Sequence, residues 1–130
     1  MGHVALRVSS QPAQVRVVRL VATAVARRAG LDAESLDEVR LAVAEACGLA
    51  LEADRTARAG APITVDFDDD PGLVVTVHAA GDVRNHGPEL DLAEGRPDRL
   101  AVLQGLLEDD VAVSCTDAAS TIRMAWGRAT

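Results

Sequence analysis

The chain has 130 residues, a formal net charge of −7, 48% hydrophobic residues and 2% aromatics. The length predicts one domain, residues 1–130, able to bury a core without disulfides or a structural metal, and the apolar share argues against global disorder. The acidity argues against binding a phosphate backbone. Phe67 and Trp126 alone give no base-stacking platform, and a chain without Lys has neither Schiff-base chemistry nor a lysine phosphate clamp.

Residues 3–8 place Val4, Leu6 and Val8 on one side, the period of a half-buried strand. Ser9 or Ser10 then reads as a helix cap, with Pro12 in the first turn. From Ala13 to Arg28 the stripe Val15, Val18, Val21 or Ala22, Val25, Ala29 has helical spacing, leaves Arg16, Arg19 and Arg27 outside it, and stops at Gly30. Asp32 or Ser35 caps a second helix, and Glu38 after Ser35 has the spacing of a capping box. Its buried stripe is Leu36, Val39, Val43, Ala46 and Ala50. Glu38, Glu45 and Glu52 recur every seven residues on a more polar face, and the helix is expected to end near Ala53–Asp54. Ile63, Val65 and Phe67 alternate, the Asp68–Gly72 stretch turns, and Leu73, Val75 and Val77 return. Residues 79–97 form a long loop, of a length usually functional or mobile. A short helix follows over 98–107 with Asp98 as its cap. Val111, Val113 and Cys115 then alternate, and a last strand runs from Thr121 to Trp126. The order β-α-α-β-β-loop-α-β-β implies an α+β two-layer sandwich. A mixed, mostly antiparallel sheet of about five strands carries three helices on one face.

Few residues carry obvious chemistry. Glu45 on a rigid helix reads either as a general base or as a solvated acid. His3, His78 and His86 are scattered, without metal-ligand spacing. Asp68, Asp69 and Asp70 lack the EF-hand pattern and read as a solvated hairpin tip. No nucleophile elbow, dinucleotide fingerprint or P-loop occurs. Cys47 and Cys115 form no CxxC pair and are expected as reduced, half-buried thiols. With no apolar run near the ~20 residues that span a bilayer, and no apolar signal region, the expectation is a soluble cytoplasmic protein.

The stretch "VRLAVAEACGLAL" (39–51), together with "LRVSS" before the first helix and "LLEDDVAVS" before the last hairpin, resembles the anti-sigma-factor serine kinases of bacterial stress and sporulation switches. These belong to the histidine-kinase-like ATPase superfamily, and the resemblance runs over nearly the whole chain. It implies that fold and three nucleotide boxes. The first, Glu-x-x-x-Asn, pairs a base with a magnesium ligand. Here Glu45 matches and Leu49 stands for the Asn. The second, Asp-x-Gly-x-Gly, binds adenine. Here Ala79 replaces the Asp, Gly81 survives and Val83 replaces the last Gly. The third, Gly-x-Gly, gives backbone N–H groups to phosphate. Here Asp98 and Leu100 replace the glycines, and a carboxylate lies where a phosphate would go.

The resemblance thus implies a regulator with vestigial Glu45, no cofactor and no metal, and with Leu49 filling a collapsed pocket. It would bind a sigma factor and/or a STAS-type anti-anti-sigma protein, with Arg16 and Arg19 as docking residues, and form a homodimer. It would bind neither nucleic acid nor membrane. The alternative is an active serine protein kinase that phosphorylates a STAS partner with ATP and magnesium at a divergent site. A third reading is a dimeric structural domain whose pocket takes another small molecule.

Overall fold

Strands that alternate apolar and polar side chains have one wet face and one dry face, and the dry face here is roofed by alanine-rich helices. A computed structural model of the chain describes residues 2–57, 61–69, 72–81, 83, 99–116 and 119–127. They form β1 (His3–Val8), α1 (Pro12–Arg28), α2 (Ala33–Ala57), β2 (Ile63–Asp68), β3 (Leu73–Ala80), α3 (Arg99–Leu107), β4 (Val111–Cys115) and β5 (Ala119–Trp126), with a short 3₁₀ turn over Glu108–Asp110. Among the described residues the element order is the expected one, and the architecture is α+β.

The five strands lie in the order β1-β2-β3-β5-β4. Every pairing is antiparallel, so the sheet is not mixed. β3 is central. Leu73, Val75, Val77 and Ala79 face the helices, opposite Phe67 and Val65 on β2 and Met124 and Ile122 on β5. From above, Val18, Ala22 and Val25 of α1, Val39, Val43, Ala46 and Leu49 of α2, and Leu103 of α3 close the core. Small residues at Ala22, Ala42, Ala46 and Ala50 let helix and sheet backbones approach closely. Among the described residues no helix is long and apolar enough to cross a membrane.

Several local expectations need correction. The α1 N-cap is Gln11, not Ser9 or Ser10, and no side chain caps it. The Gln11 N–H turns back to the Ser9 carbonyl at 2.9 Å, which sets both serines before the cap position. At the other end Gly30 (φ 84°) permits a reverse turn in which Leu31 N–H reaches the Ala26 carbonyl (3.2 Å) and Gly30 N–H that of Arg27 (3.1 Å). Asp32 caps α2, accepting the Ser35 N–H at 2.8 Å, and this bond holds its carboxyl below the ordinary range. Glu38 forms no capping box; it accepts the Trp126 indole N–H at 2.9 Å. α2 continues to Ala57, because nothing between Asp54 and Ala57 breaks a helix before Gly60 and Pro62. β3 extends through Ala80, so Ala79 lies in the sheet, opposite Ser120, and not in the loop. Of that loop, residues 82 and 84–97 lie outside the described residues, with His86 among them.

The Asp68–Asp70 tip is not simply solvated. Asp69 is 5% exposed and accepts from Gly2 N–H and from Arg28 Nε (3.1 Å). Burial pushes its carboxyl up, but Gly2 and Arg28 together pull it below the ordinary value. Asp70 lies outside the described residues. The histidines are not all scattered either. On the open sheet face His3 Nδ1 lies 2.7 Å from Asp68 Oδ1 and its Nε2 3.3 Å from Asp66 Oδ1, while His78 Nε2 lies 2.9 Å from Asp66 Oδ2. Strand pairing brings His3 to Asp66 and Asp68, 63 and 65 positions on in sequence, as no spacing rule for a continuous motif would show. Cys47 and Cys115 are free thiols. Cys47 is fully, not half, buried, and burial pushes its thiol up to about 12.

Candidate functional site

On α2 the residues Glu45, Gly48 and Glu52 are three and seven positions apart, so they share one face of the helix. The first residue of α3, Arg99, lays its guanidinium across that face. Its Nη1 donates to Glu45 Oε2 at 3.1 Å and its Nε to Glu52 Oε1 at 3.0 Å. Gly48 is the floor of this arrangement: a Cβ there would stand 2.7 Å from Arg99 Cζ and Nη1 and 2.8 Å from Nε. The Arg99 side chain is 34% exposed, and those of Glu45 and Glu52 are 20% and 17%. Burial works against the charge on Arg99, and Glu52 and Glu45 outweigh it, so the guanidinium is held more firmly protonated than usual.

Leu49 does not join this group. Successive residues on an α-helix are about 100° apart, so Leu49 turns away from Gly48 and enters the core. It is 1% exposed, among the largest fully buried side chains. The position that would need a magnesium ligand is therefore a packing position. Ala79, 7% exposed, faces the helix layer and carries no side-chain acceptor. Gly81 (φ 83°) turns the chain out of β3 in a left-handed conformation that a side chain disfavours. That turn is pinned by Ser120, whose hydroxyl donates to the Gly81 carbonyl at 2.6 Å and accepts the Val83 N–H at 3.0 Å. Val83 is buried at 1% exposure, filling space that a glycine would leave open. Leu100 is half-buried at the start of α3, and Asp98 lies outside the described residues.

Arg16 and Arg19 are exposed on α1. With Val15, Gly48, Leu51 and Arg99 they line a cleft of about 330 Å³ along the α1–α2 seam. A second cleft of about 180 Å³ adjoins it, bounded by the same two arginines with Leu20, Thr23 and Arg40. Leu20 of the second cleft is exposed, as are Val17 on α1 and Leu41 on α2. So the structure brings Arg16, Arg19 and Arg99 around one seam, ties Glu45 to it only through Arg99, and buries Leu49 and Ala79 in the core. Arg99, Gly48 and Ser120 shape this region through contacts that sequence reading passed over. The signal for Arg99 was faint: an arginine between the two altered box positions, and two glutamates seven apart with no evident cation. Among the described residues, no group of three or more His, Cys, Asp or Glu is arranged to hold a metal ion.

A five-stranded antiparallel sheet roofed by helices, with a carboxylate-bearing central helix facing a cleft, defines a two-layer ATPase-like domain. Residues 8–126 match the family described as the histidine kinase-like ATPase domain, and the chain belongs to that family. No curated protein matches it.

The family implies a magnesium-bound adenine nucleotide, and the residues present do not fit one. Magnesium takes oxygen ligands in near-octahedral geometry, whereas Leu49 is apolar and sealed in the core. Glu45 is already engaged by a guanidinium seated on the helix. Ala79 presents no carboxylate to an adenine amino group.

Proposed function

We propose that the chain is an anti-sigma-factor-like regulator. It holds a sigma factor and/or a STAS anti-anti-sigma protein in a partner-switching pathway, as a cytoplasmic homodimer without effective ATP binding or kinase activity. The observation that carries this reading is the state of Glu45. The carboxylate that would serve as base is bonded to Arg99 at 3.1 Å, and the residue one turn on, Leu49, is part of the core. What the domain retains is a surface. Arg16 and Arg19 stand beside open clefts on an otherwise acidic protein, and arginine is a strong interface anchor. Calorimetric titration with Mg-ATP tests the nucleotide half; low-micromolar binding ends it. Co-purification from the native host, with identification of what comes down and repetition with Arg16→Glu and Arg19→Glu, tests the partner half. A sigma factor or STAS protein retained undiminished by both variants removes the docking assignment.

One observation favours a second reading. Glu45 keeps 20% of its side-chain surface and lies next to a cleft, so a base could still be reached. On that reading the chain is an active serine protein kinase, with ATP and magnesium as cofactors, that phosphorylates a STAS partner. Phosphate transfer abolished by Glu45→Ala supports it; no transfer to a co-purifying STAS protein removes it.

A further inference from the structure

The chain carries 20 acidic residues against 13 basic ones, so a surface arginine has many carboxylates to choose from. Arg28 takes Asp69, Arg40 takes Asp37, and Arg99 takes both Glu45 and Glu52. Arg16 and Arg19 take none. Neither guanidinium has an ion-pair or hydrogen-bond partner among the described residues. The two stand three positions apart on α1, hence on one face, where like charges repel. They cost the helix a little instead of supporting it. Both are exposed and line the cleft of about 330 Å³, together with Arg99 and an apolar wall of Val15, Ala44 and Leu51. Arg99 spends Nη1 and Nε on the glutamates, and its Nη2 has no partner among the described residues.

We propose that the α1–α2 cleft binds a phosphate monoester with a small apolar body, held by Arg16, Arg19 and the free edge of Arg99. Charge selects the ligand. Arg99 is balanced by two glutamates, whereas Arg16 and Arg19 leave two positive charges open. A phosphate monoester carries close to two negative charges at neutral pH, and a guanidinium fork matches its oxygens in pairs. A carboxylate brings one charge and leaves one arginine unmatched. The volume lies at the low end for small-molecule sites, which suits a body of about one ring against the apolar wall. A net charge of −7 opposes a long polyanion and still permits a local anion site. The site asks for neither adenine nor magnesium, and Leu49 and Ala79 stay in the core. The regulatory reading gives Arg16 and Arg19 to partner docking, so a bound ester and a docked partner would exclude each other. That exclusion rests on the regulatory reading; the ligand site does not.

The test titrates the full chain with phenyl phosphate at low salt, followed by calorimetry and phosphorus NMR. The expected dissociation constant is about 1 mM or tighter. Arg16→Ala and Arg19→Ala stand at exposed positions and should fold as wild type does; each weakens binding about tenfold or more. Arg123→Ala, on the open face of the sheet, leaves it unchanged. Benzoate, with the same ring and one charge, binds about tenfold more weakly than phenyl phosphate. Arginine does not titrate, so affinity falls as the pH drops through the second phosphate pKa of about 6. A short phosphoserine peptide identifies the source of the ester. Binding about tenfold tighter than phenyl phosphate marks a phosphorylated protein segment, and anything weaker marks a free small molecule. The site is overturned by no saturable binding up to about 20 mM, or by equal binding in wild type, Arg16→Ala and Arg19→Ala. Either result leaves the regulatory reading standing. Low-micromolar Mg-ATP binding beside an unchanged phenyl phosphate result ends the nucleotide-free reading alone.

Discussion

Leu49→Asn restores the Glu-x-x-x-Asn spacing with Glu45, and it is expected to wreck the fold's stability without restoring a metal site. Leu49 is 1% exposed. Removing a fully buried leucine forfeits about 1.5–3 kcal/mol of burial. An amide put in its place, among Val and Ala side chains, adds about 1–3 kcal/mol for unsatisfied donors and acceptors. The two sum to about 2.5–6 kcal/mol, a large share of the ~5–15 kcal/mol that typically holds a domain together. With an m-value of about 2 kcal/mol/M, the urea midpoint should fall by about 1–3 M. Trp126, the only tryptophan, is 7% exposed and reports the transition by fluorescence. Leu49→Ala, which loses the packing but adds no amide, should fall short of the Asn variant by the polar part of the cost. The reasoning is refuted if Leu49→Asn costs under about 1 kcal/mol and the variant gains magnesium-dependent heat with ATP. Side chain 49 would then reach the cleft, and the pocket would have been disarmed by one substitution.

Three further outcomes follow from individual contacts. Ser120→Ala removes the hydroxyl that ties Gly81 to Val83 in a buried setting; it should cost about 1–3 kcal/mol in urea unfolding and speed hydrogen exchange at the Val83 amide, and a neutral result would remove the pin. His3 should titrate by NMR above the ordinary imidazole value of about 6.5, chiefly because of its bond to Asp68 and secondarily its charge, so Asp68→Asn should bring it down more than any other single change. A raised folded value means the stabilisation is complete below the unfolded value and is lost as pH rises through the folded one; the variant's stability deficit should therefore be larger in mildly acidic than in alkaline buffer, and a deficit independent of pH would contradict this. With its thiol pushed up to about 12, Cys47 in a Cys115→Ser background should have about one part in 10⁴ as thiolate at pH 8 and react with a disulfide reagent only on unfolding; labelling in the native state at a free-thiol rate would contradict its burial.

The fold was legible because its signals are periodic. Alternation at 63–67, 73–77 and 111–115 survives in any local window, and so does the helical stripe from Val15 to Ala29. Each marks a face that has to be buried. Ends were less legible because they depend on which backbone groups find partners. Ser9 and Ser10 are good caps by type, yet the turn that returns Gln11 to the Ser9 carbonyl places both outside the helix. Glu38 has capping-box spacing, yet it is drawn instead to an indole 88 residues on. Asp69 reads as a solvated turn acid until Arg28, 41 residues earlier, closes over it.

For the site, sequence reading supplied the ligands that are missing but not what replaces them. Leu49 and Ala79 are visibly wrong residue types for a metal and an adenine, because a motif states what each position must donate. It says nothing of a group from elsewhere that arrives to fill the gap. Arg99 meets Glu52 across 47 residues and Glu45 across 54, and only the packing of α3 on α2 makes those contacts. Gly48 drew no reading from the sequence; its place appears only in the fold, where a Cβ would stand 2.7 Å from the Arg99 guanidinium. A substituted ligand position therefore poses a second question that composition cannot answer: where the neighbouring charge now finds its balance. Here Glu45 finds it within the same chain, at Arg99.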